Sequence, residues 1–138
     1  MMRTDIFNRF SNPFQMRDQQ KEQQHAQKQA LIRKNYAEIY AHEKAHQNAG
    51  GALAGPIVIE KNEEGIPVGG HVNIKMPSLN PANPQKAIDD ASTVIRAAMA
   101  PSDPSSQDYA VANQAQNIKM QAQAMKKEGQ GNKLDIQA

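Results

Sequence analysis

The chain contains no cysteine and no tryptophan, and only 4% of its 138 residues are aromatic. Without cysteine it cannot form a disulfide framework, a thiolate metal site or a cysteine nucleophile. Few aromatics and a hydrophobic share of 38% indicate a small packed core, with part of the chain forming solvated helix or disordered tail. A bound metal ion would stabilise so small a core.

Long apolar runs are also missing from the sequence. The longest strongly apolar stretch covers residues 57–59, far short of the roughly 20 residues that span a bilayer. The first 14 residues contain Arg3 and Arg9 but no long apolar run, which does not fit a cleavable signal peptide. We therefore expect no membrane partner and a cytoplasmic location, unless the protein leaves the cell by a route that needs no such signal.

Charge of one sign is not concentrated anywhere in the chain. The formal net charge is only +2, and basic residues such as Lys21 and Arg33 share their stretch with Glu22 and Glu38. Nucleic-acid binders usually gather basic and aromatic side chains on one face. The mixed pattern therefore argues against a nucleic-acid partner.

The first half of the chain favours one long helix. Residues 15–48 contain neither proline nor glycine and are rich in Gln, Lys, Glu and Ala. Apolar side chains are scarce at the start of this segment and increase after Leu31, so we expect a helix that is exposed first and packed later. Gly50 and Gly51 would end it.

The second half predicts a hairpin followed by two helices. Residues 57–60 and 66–76 have the composition of paired strands, separated by a polar turn with Gly65. Asn83 is placed to cap a helix with Pro84 at its first position. Ser105 and Asp108 have the spacing of a capping box for a last helix, which should run to about Lys127.

These elements predict an α+β fold of a minimal, zincin-like kind. It would comprise a long helix, a short β-hairpin and two further helices. Residues 1–14 form a flexible lead-in, residues 15–128 a single domain, and residues 129–138 a disordered polar tail.

The motif with chemical content is His-Glu-x-x-His, formed by His42, Glu43 and His46. Residues four apart lie on one face of a helix, so the two imidazoles can hold one zinc ion from a single rigid element. Glu43 lies about 100° round the helix from His42 and can reach a water molecule on the ion without being a ligand. In that position it would act as the general base of a hydrolysis.

A catalytic zinc site usually has three protein ligands, and the third is not fixed by the motif. His25 lies roughly 30 Å from His46 along a straight helix, which excludes it. His71 follows two glycines in the predicted hairpin, where the chain could fold back over the helix, so we expect it to be the third ligand. Four carboxylates remain as alternatives: Glu60, Asp89, Asp90 and Asp103.

A series of short motifs, in consistent order over residues 30–120, resembles the SprA-related family of bacteria. It comprises the zinc motif at residues 41–46, Ala-Gly-Gly at 49–51, Val-Gly-Gly at 68–70, Ile-Arg-Ala-Ala-Met-Ala-Pro at 95–101 and Pro-Ser-Ser-Gln-Asp at 104–108. The resemblance implies a zinc metalloprotease domain, with zinc on His42 and His46 and Glu43 as the catalytic carboxylate. In that family the residue after the paired glycines is usually Glu, where this chain has His71.

The sequence therefore predicts a zinc metallopeptidase that hydrolyses peptide bonds in a peptide or protein substrate. One alternative is a zinc-binding or regulatory protein that keeps the scaffold without turnover. Another is a helical interaction protein in which the motif has no role. The substrate and the oligomeric state are not encoded in any motif of the chain.

Overall fold

A computed structural model describes residues 13–137, and side chains up to residue 129. The elements are α1 (Pro13–Gly50), β1 (Ala54–Lys61), β2 (Pro67–Ile74), α2 (Pro84–Ala98) and α3 (Ser106–Gln137), with a short 3₁₀ turn (Gly51–Leu53) after α1. The predicted α+β architecture is confirmed. The lead-in predicted for residues 1–14 lies mostly outside the described residues, and α1 already begins at Pro13.

Helix α1 is 38 residues long and exposed over its first half. Packing begins near Ile32, where β1, β2 and α2 start to cover one side of the helix. The helix gives way to the 3₁₀ turn at Gly51, whose φ of +54° is a conformation that glycine adopts without strain. The exposed start and packed end match the composition of the segment.

Strands β1 and β2 form an antiparallel hairpin that packs on α1. Asn62 shapes its turn, because the side-chain oxygen accepts hydrogen bonds from the backbone N–H groups of Glu64 and Ile66. Gly65 has a φ of +79° in the same turn. Among the described residues this sheet has two strands, so one edge of β2 carries no neighbouring strand.

Helices α2 and α3 pack closely against each other, and both begin with the predicted caps. The side chain of Asn83 accepts from the N–H of Lys86, while the Ser105 hydroxyl accepts from the N–H of Asp108. Small side chains dominate the buried interface and let the helices approach closely. The buried hydrophobic residues are Ala87, Ala91, Val94, Ala97, Ala98, Ala112, Ala115 and Ala122.

The last helix continues beyond its expected end near Lys127 and reaches Gln137. Gly129 lowers the stability of a helix but does not force it to end, because glycine adopts helical dihedral angles as readily as non-helical ones. Helix therefore covers most of the segment for which a polar tail was predicted. Within the described residues, no helix has both the length and the apolar composition required to cross a membrane.

Candidate metal centre

The centre starts with two imidazoles on α1. His42 and His46 lie one turn apart, with ring centroids separated by 4.9 Å and rings nearly perpendicular. Their Nε2 atoms are 3.2 Å apart. His46 is buried and His42 is partly exposed, so the pair sits where the packed part of α1 meets solvent. The structure thus brings together the two histidines that the motif singled out.

The Nδ1 atom of each ring lies within hydrogen-bond distance of an oxygen atom. His46 Nδ1 lies 2.6 Å from the carbonyl oxygen of Ala97 on α2, and His42 Nδ1 lies 3.2 Å from Oδ1 of Asp103. A carbonyl only accepts, so the Nδ1 of His46 carries a proton, and Nε2 is the nitrogen that faces the other groups of the centre. A hydrogen bond of this kind fixes ring orientation in metal-ligating histidines.

Asp108, in the first turn of α3, supplies the third group. Its Oδ2 lies 3.2 Å from Nε2 of His42, and its Oδ1 lies 3.1 Å from Nε2 of His46. Burial raises the pKa of Asp108, but a hydrogen bond from the Ser105 N–H, the charge of His46 and the Ser105 hydroxyl outweigh burial and lower the pKa overall. The carboxylate is therefore held in its ionised, metal-ligating form.

The spacing of these atoms fits a metal ion. The ligand atoms of His42, His46 and Asp108 all lie within 4.8 Å of one another. Ligands at about 2.0 Å from a tetrahedral zinc ion would be roughly 3.3 Å apart, close to the 3.1–3.2 Å observed. With both Nδ1 atoms donating, the two Nε2 atoms and the carboxylate face one point. The three residues lie close enough to bind a metal ion.

Glu43 lies beside this group without belonging to it. Its side chain is buried, with 6% of the residue exposed. Burial raises the pKa of the carboxyl, and the positive charges of His46 and His42 counteract only part of that effect. Among the described residues no hydrogen bond or ion pair engages this carboxylate, and none of its oxygens is both fully buried and unpaired. Glu43 is thus a mostly buried side chain whose carboxylate opens to the cleft and has no hydrogen-bond partner among the described residues.

A cleft of about 620 Å³ opens over the centre. Residues 38–46 of α1 form its floor, residues 69–74 of β2 form one wall, and residues 103–111 at the start of α3 form the other. Gly70 permits this arrangement, since a Cβ atom there would lie 2.6 Å from Ile39 Cγ2 and 3.1 Å from Glu43 Cγ. The close backbone approach expected of the paired glycines is therefore made to α1, directly beside Glu43.

His71 does not join the group, and Asp108 holds the third position instead. Side chains alternate between the two faces of a strand. Because Gly70 faces α1, the next residue faces away from it. On that outer face His71 Nδ1 lies 3.1 Å from Oε1 of Glu60, and the His71 side chain is 45% exposed. The sequence already indicates this parity, since the apolar residues at 72 and 74 alternate with polar residues at 71 and 73.

The other carboxylates weighed as third ligands have separate partners. Glu60 pairs with His71, and Asp103 holds the outer nitrogen of His42. On α2, Asp89 accepts from Gln85, and Asp90 pairs with Lys86. Asp103 therefore supports the centre without being one of its three members.

Asp108 escaped sequence reasoning because its local pattern already had an explanation. The capping box predicted from Ser105 and Asp108 is present, and Oδ2 of Asp108 accepts from the Ser105 N–H at 2.9 Å. A carboxylate has several acceptor positions, so capping leaves room for further ligation. A signal did exist, since Asp108 ends the last of the motifs in the family resemblance.

Comparison of the whole sequence with known proteins agrees with the motif series. No match was found among curated proteins or among solved structures. The family model of the SprA-related family matches residues 9–137, which include α1, the hairpin, α2 and α3. The chain belongs to the SprA-related family.

Proposed function

We propose that this protein is a zinc-dependent peptidase that hydrolyses peptide bonds, with His42, His46 and Asp108 as zinc ligands and Glu43 as general base. One observation carries the proposal. The Glu43 carboxylate, which opens to the cleft and has no hydrogen-bond partner among the described residues, lies next to three convergent metal-ligating groups. A cleft carboxylate whose pKa is raised by burial favours a role in chemistry.

The donor set favours zinc over harder ions. Mg²⁺ and Ca²⁺ select oxygen ligands, whereas two imidazoles and one carboxylate suit zinc. The same donor set also holds Fe(II) in a class of oxygenases. Glu43 favours hydrolysis over oxygenase chemistry, because a carboxylate beside the ion can act as a general base towards water.

Individual residues of the chain have separate roles in the proposed hydrolysis. A zinc ion, when bound, would lower the pKa of a coordinated water and polarise the carbonyl group of the scissile bond. Glu43 accepts the proton from the attacking water and then donates it to the nitrogen of the leaving amine. Burial supports this role, since it raises the pKa of the Glu43 carboxyl towards the pH at which it works. Asp103 keeps the His42 ring in its ligating orientation.

The substrate would lie along β2. Residues 69–74 of this strand border the cleft, and among the described residues β2 has β1 on one edge only. An extended peptide can add to the other edge through main-chain hydrogen bonds. Such pairing would align the peptide over His42, Glu43 and His46 without requiring a particular side chain.

Metal content and turnover test the proposal together. After zinc reconstitution we expect about one zinc per chain in the parent, and loss of stoichiometric zinc in His42→Ala, as measured by elemental analysis. We expect Glu43→Gln to keep zinc while hydrolysis of a peptide mixture falls by about a hundredfold or more. Absence of zinc from the reconstituted parent would refute the metal assignment. Zinc without turnover on any peptide would instead indicate a binding or regulatory protein on the same scaffold.

A further inference from the structure

The cleft has an uneven charge distribution. Among the described residues that line it are four carboxylates, Glu38, Glu43, Asp103 and Asp108, and neither lysine nor arginine. A divalent cation at the centre would offset two of these charges. The cleft would stay negative with the ion bound, and such a field attracts positively charged ligands.

Glu38 is the carboxylate in this set that has no role at the centre. It lies one turn before His42 on α1, and its side chain is exposed. Asp108 and Asp103 contact the histidines, and Glu43 lies buried beside them. Within the described chain Glu38 has no hydrogen bond or ion pair. Its charge is therefore available to a ligand in the cleft.

The cleft also has a direction, because β2 runs alongside α1 in the same sense. Asn35 of α1 donates to the carbonyl oxygen of Pro67 at the start of β2. A Cβ atom on Gly50, the last residue of α1, would lie 3.8 Å from Cδ1 of Ile74 at the end of the strand. Glu38 thus lies towards the end of the cleft where β2 begins.

The opposite end of the cleft is apolar. Ile74 and Met76 extend from the end of β2, and Ala98 lies at the end of α2. None of the three carries charge, and Ala98 is buried. A ligand that spans the cleft would therefore meet a carboxylate at one end and aliphatic side chains at the other, on either side of the metal centre.

We propose that the cleft selects peptides with a lysine or arginine on the C-terminal side of the cleaved bond and an apolar residue on the N-terminal side. This inference rests on the proposed function. Glu38 is the specificity-determining residue. The polarity follows from antiparallel pairing with β2, the more stable ladder. A peptide antiparallel to β2 runs from the Ile74 end to the Glu38 end, so its C-terminal half meets the carboxylate.

The expected size of the preference for a basic peptide residue follows from the solvent exposure of Glu38. Glu38 is solvent-exposed, so one charge contact contributes modestly and salt screens it. Replacing a basic peptide residue with an acidic one exchanges an attraction for a repulsion. We expect about a tenfold difference in Kd between the two at low ionic strength, shrinking as salt is added.

Peptide binding to the zinc-loaded Glu43→Gln variant tests the inference apart from turnover. The probes are fluorescein-labelled peptides with a fixed apolar residue, followed by a position that is Lys, Gln or Glu. Fluorescence anisotropy should rank affinity Lys over Gln over Glu, and a peptide with the order of the apolar and basic residues reversed should bind more weakly. Repeating the series without metal should preserve the ranking, because the charge of Glu38 does not depend on the ion.

Two charge reversals on α1 provide the matched comparison. Adding Glu38→Lys should invert the ranking. Adding Glu22→Lys, which is exposed on the same helix and about 24 Å further from the centre, should leave it unchanged. Equal affinity for the three peptides, tighter binding of the reversed peptide, or a ranking that survives Glu38→Lys would overturn the inference. If the ranking holds while the parent cleaves nothing, the proposed function fails alone; if the parent cleaves without charge preference, the inference fails alone.

Discussion

Replacing Gly70 with alanine should strain the contact between β2 and α1. The added Cβ atom would lie 2.6 Å from Ile39 Cγ2, 3.0 Å from the Val58 carbonyl oxygen and 3.1 Å from Glu43 Cγ. The Ile39 methyl group can turn aside, but the Val58 oxygen belongs to the backbone of β1. The hairpin must therefore shift, and overpacking of this kind costs about 1–3 kcal/mol.

Urea denaturation in the presence of a chelator measures this cost without a contribution from bound metal. With an m-value of about 2 kcal/mol/M, a loss of about 2 kcal/mol lowers the midpoint by about 1 M. Gly55→Ala is the matched control in the same hairpin, because its Cβ atom would lie 3.4 Å from the nearest atom, the Asn73 oxygen. Its midpoint should stay close to that of the parent. A Gly70→Ala midpoint equal to that of Gly55→Ala would show that the close approach is not as tight as described.

Three further substitutions address the centre. Asp108→Ala should weaken zinc binding more than Asp103→Ala, for which we expect a loss of about 10–100-fold, while Asp89→Ala should have no effect in the same metal-competition titration. A larger loss for Asp103→Ala than for Asp108→Ala would reverse the roles of the proposed ligand and the supporting carboxylate. Asp108→Asn should keep more of the helical content of α3 than Asp108→Ala, because the amide oxygen can accept the capping hydrogen bond. It should still bind zinc weakly, because the amide supplies no charge. A zinc affinity equal to that of the parent would count against Asp108 as a ligand. Metal-free Glu43→Gln should be more stable than the metal-free parent at neutral pH, because burial raises the pKa of Glu43 in the folded state. The difference in the free energy of unfolding should vanish below about pH 4.5, where the Glu43 carboxyl of the parent is protonated in both the folded and the unfolded state. A difference that grows on acidification would contradict a raised pKa in the folded state.

The elements of the fold were predictable because each has a local cause. The absence of proline and glycine predicts α1, and the caps at Asn83 and Ser105 place the starts of α2 and α3 correctly. The end of α3 was not predictable in this way, since Gly129 permits helix and its alternatives equally. Propensity alone therefore located the beginnings of helices better than the end of the last one.

Only the part of the candidate site that lies on a single helix was predictable from the sequence. His42 and His46 follow from helical spacing within a single turn. Asp108 lies 66 residues beyond His42, and its position depends on how α3 packs on α2 and α1, which periodicity does not determine. His71 lies outside the group because one residue of strand parity reverses the direction of a side chain.

The candidate ligands come from the first and last helices that the structure describes, and this gives the ion a topological effect. In an unfolded chain, joining His42 to Asp108 closes a loop of 66 residues, at an entropic cost of about 4 kcal/mol on a chain-entropy estimate. The unfolded protein would therefore offer an ion little more than the His42–His46 pair. High-affinity binding requires α3 to be docked already, so the ion would act as a non-covalent cross-link that forms last. In a chain without cysteine, it would oppose detachment of α3 from a core built largely of alanine.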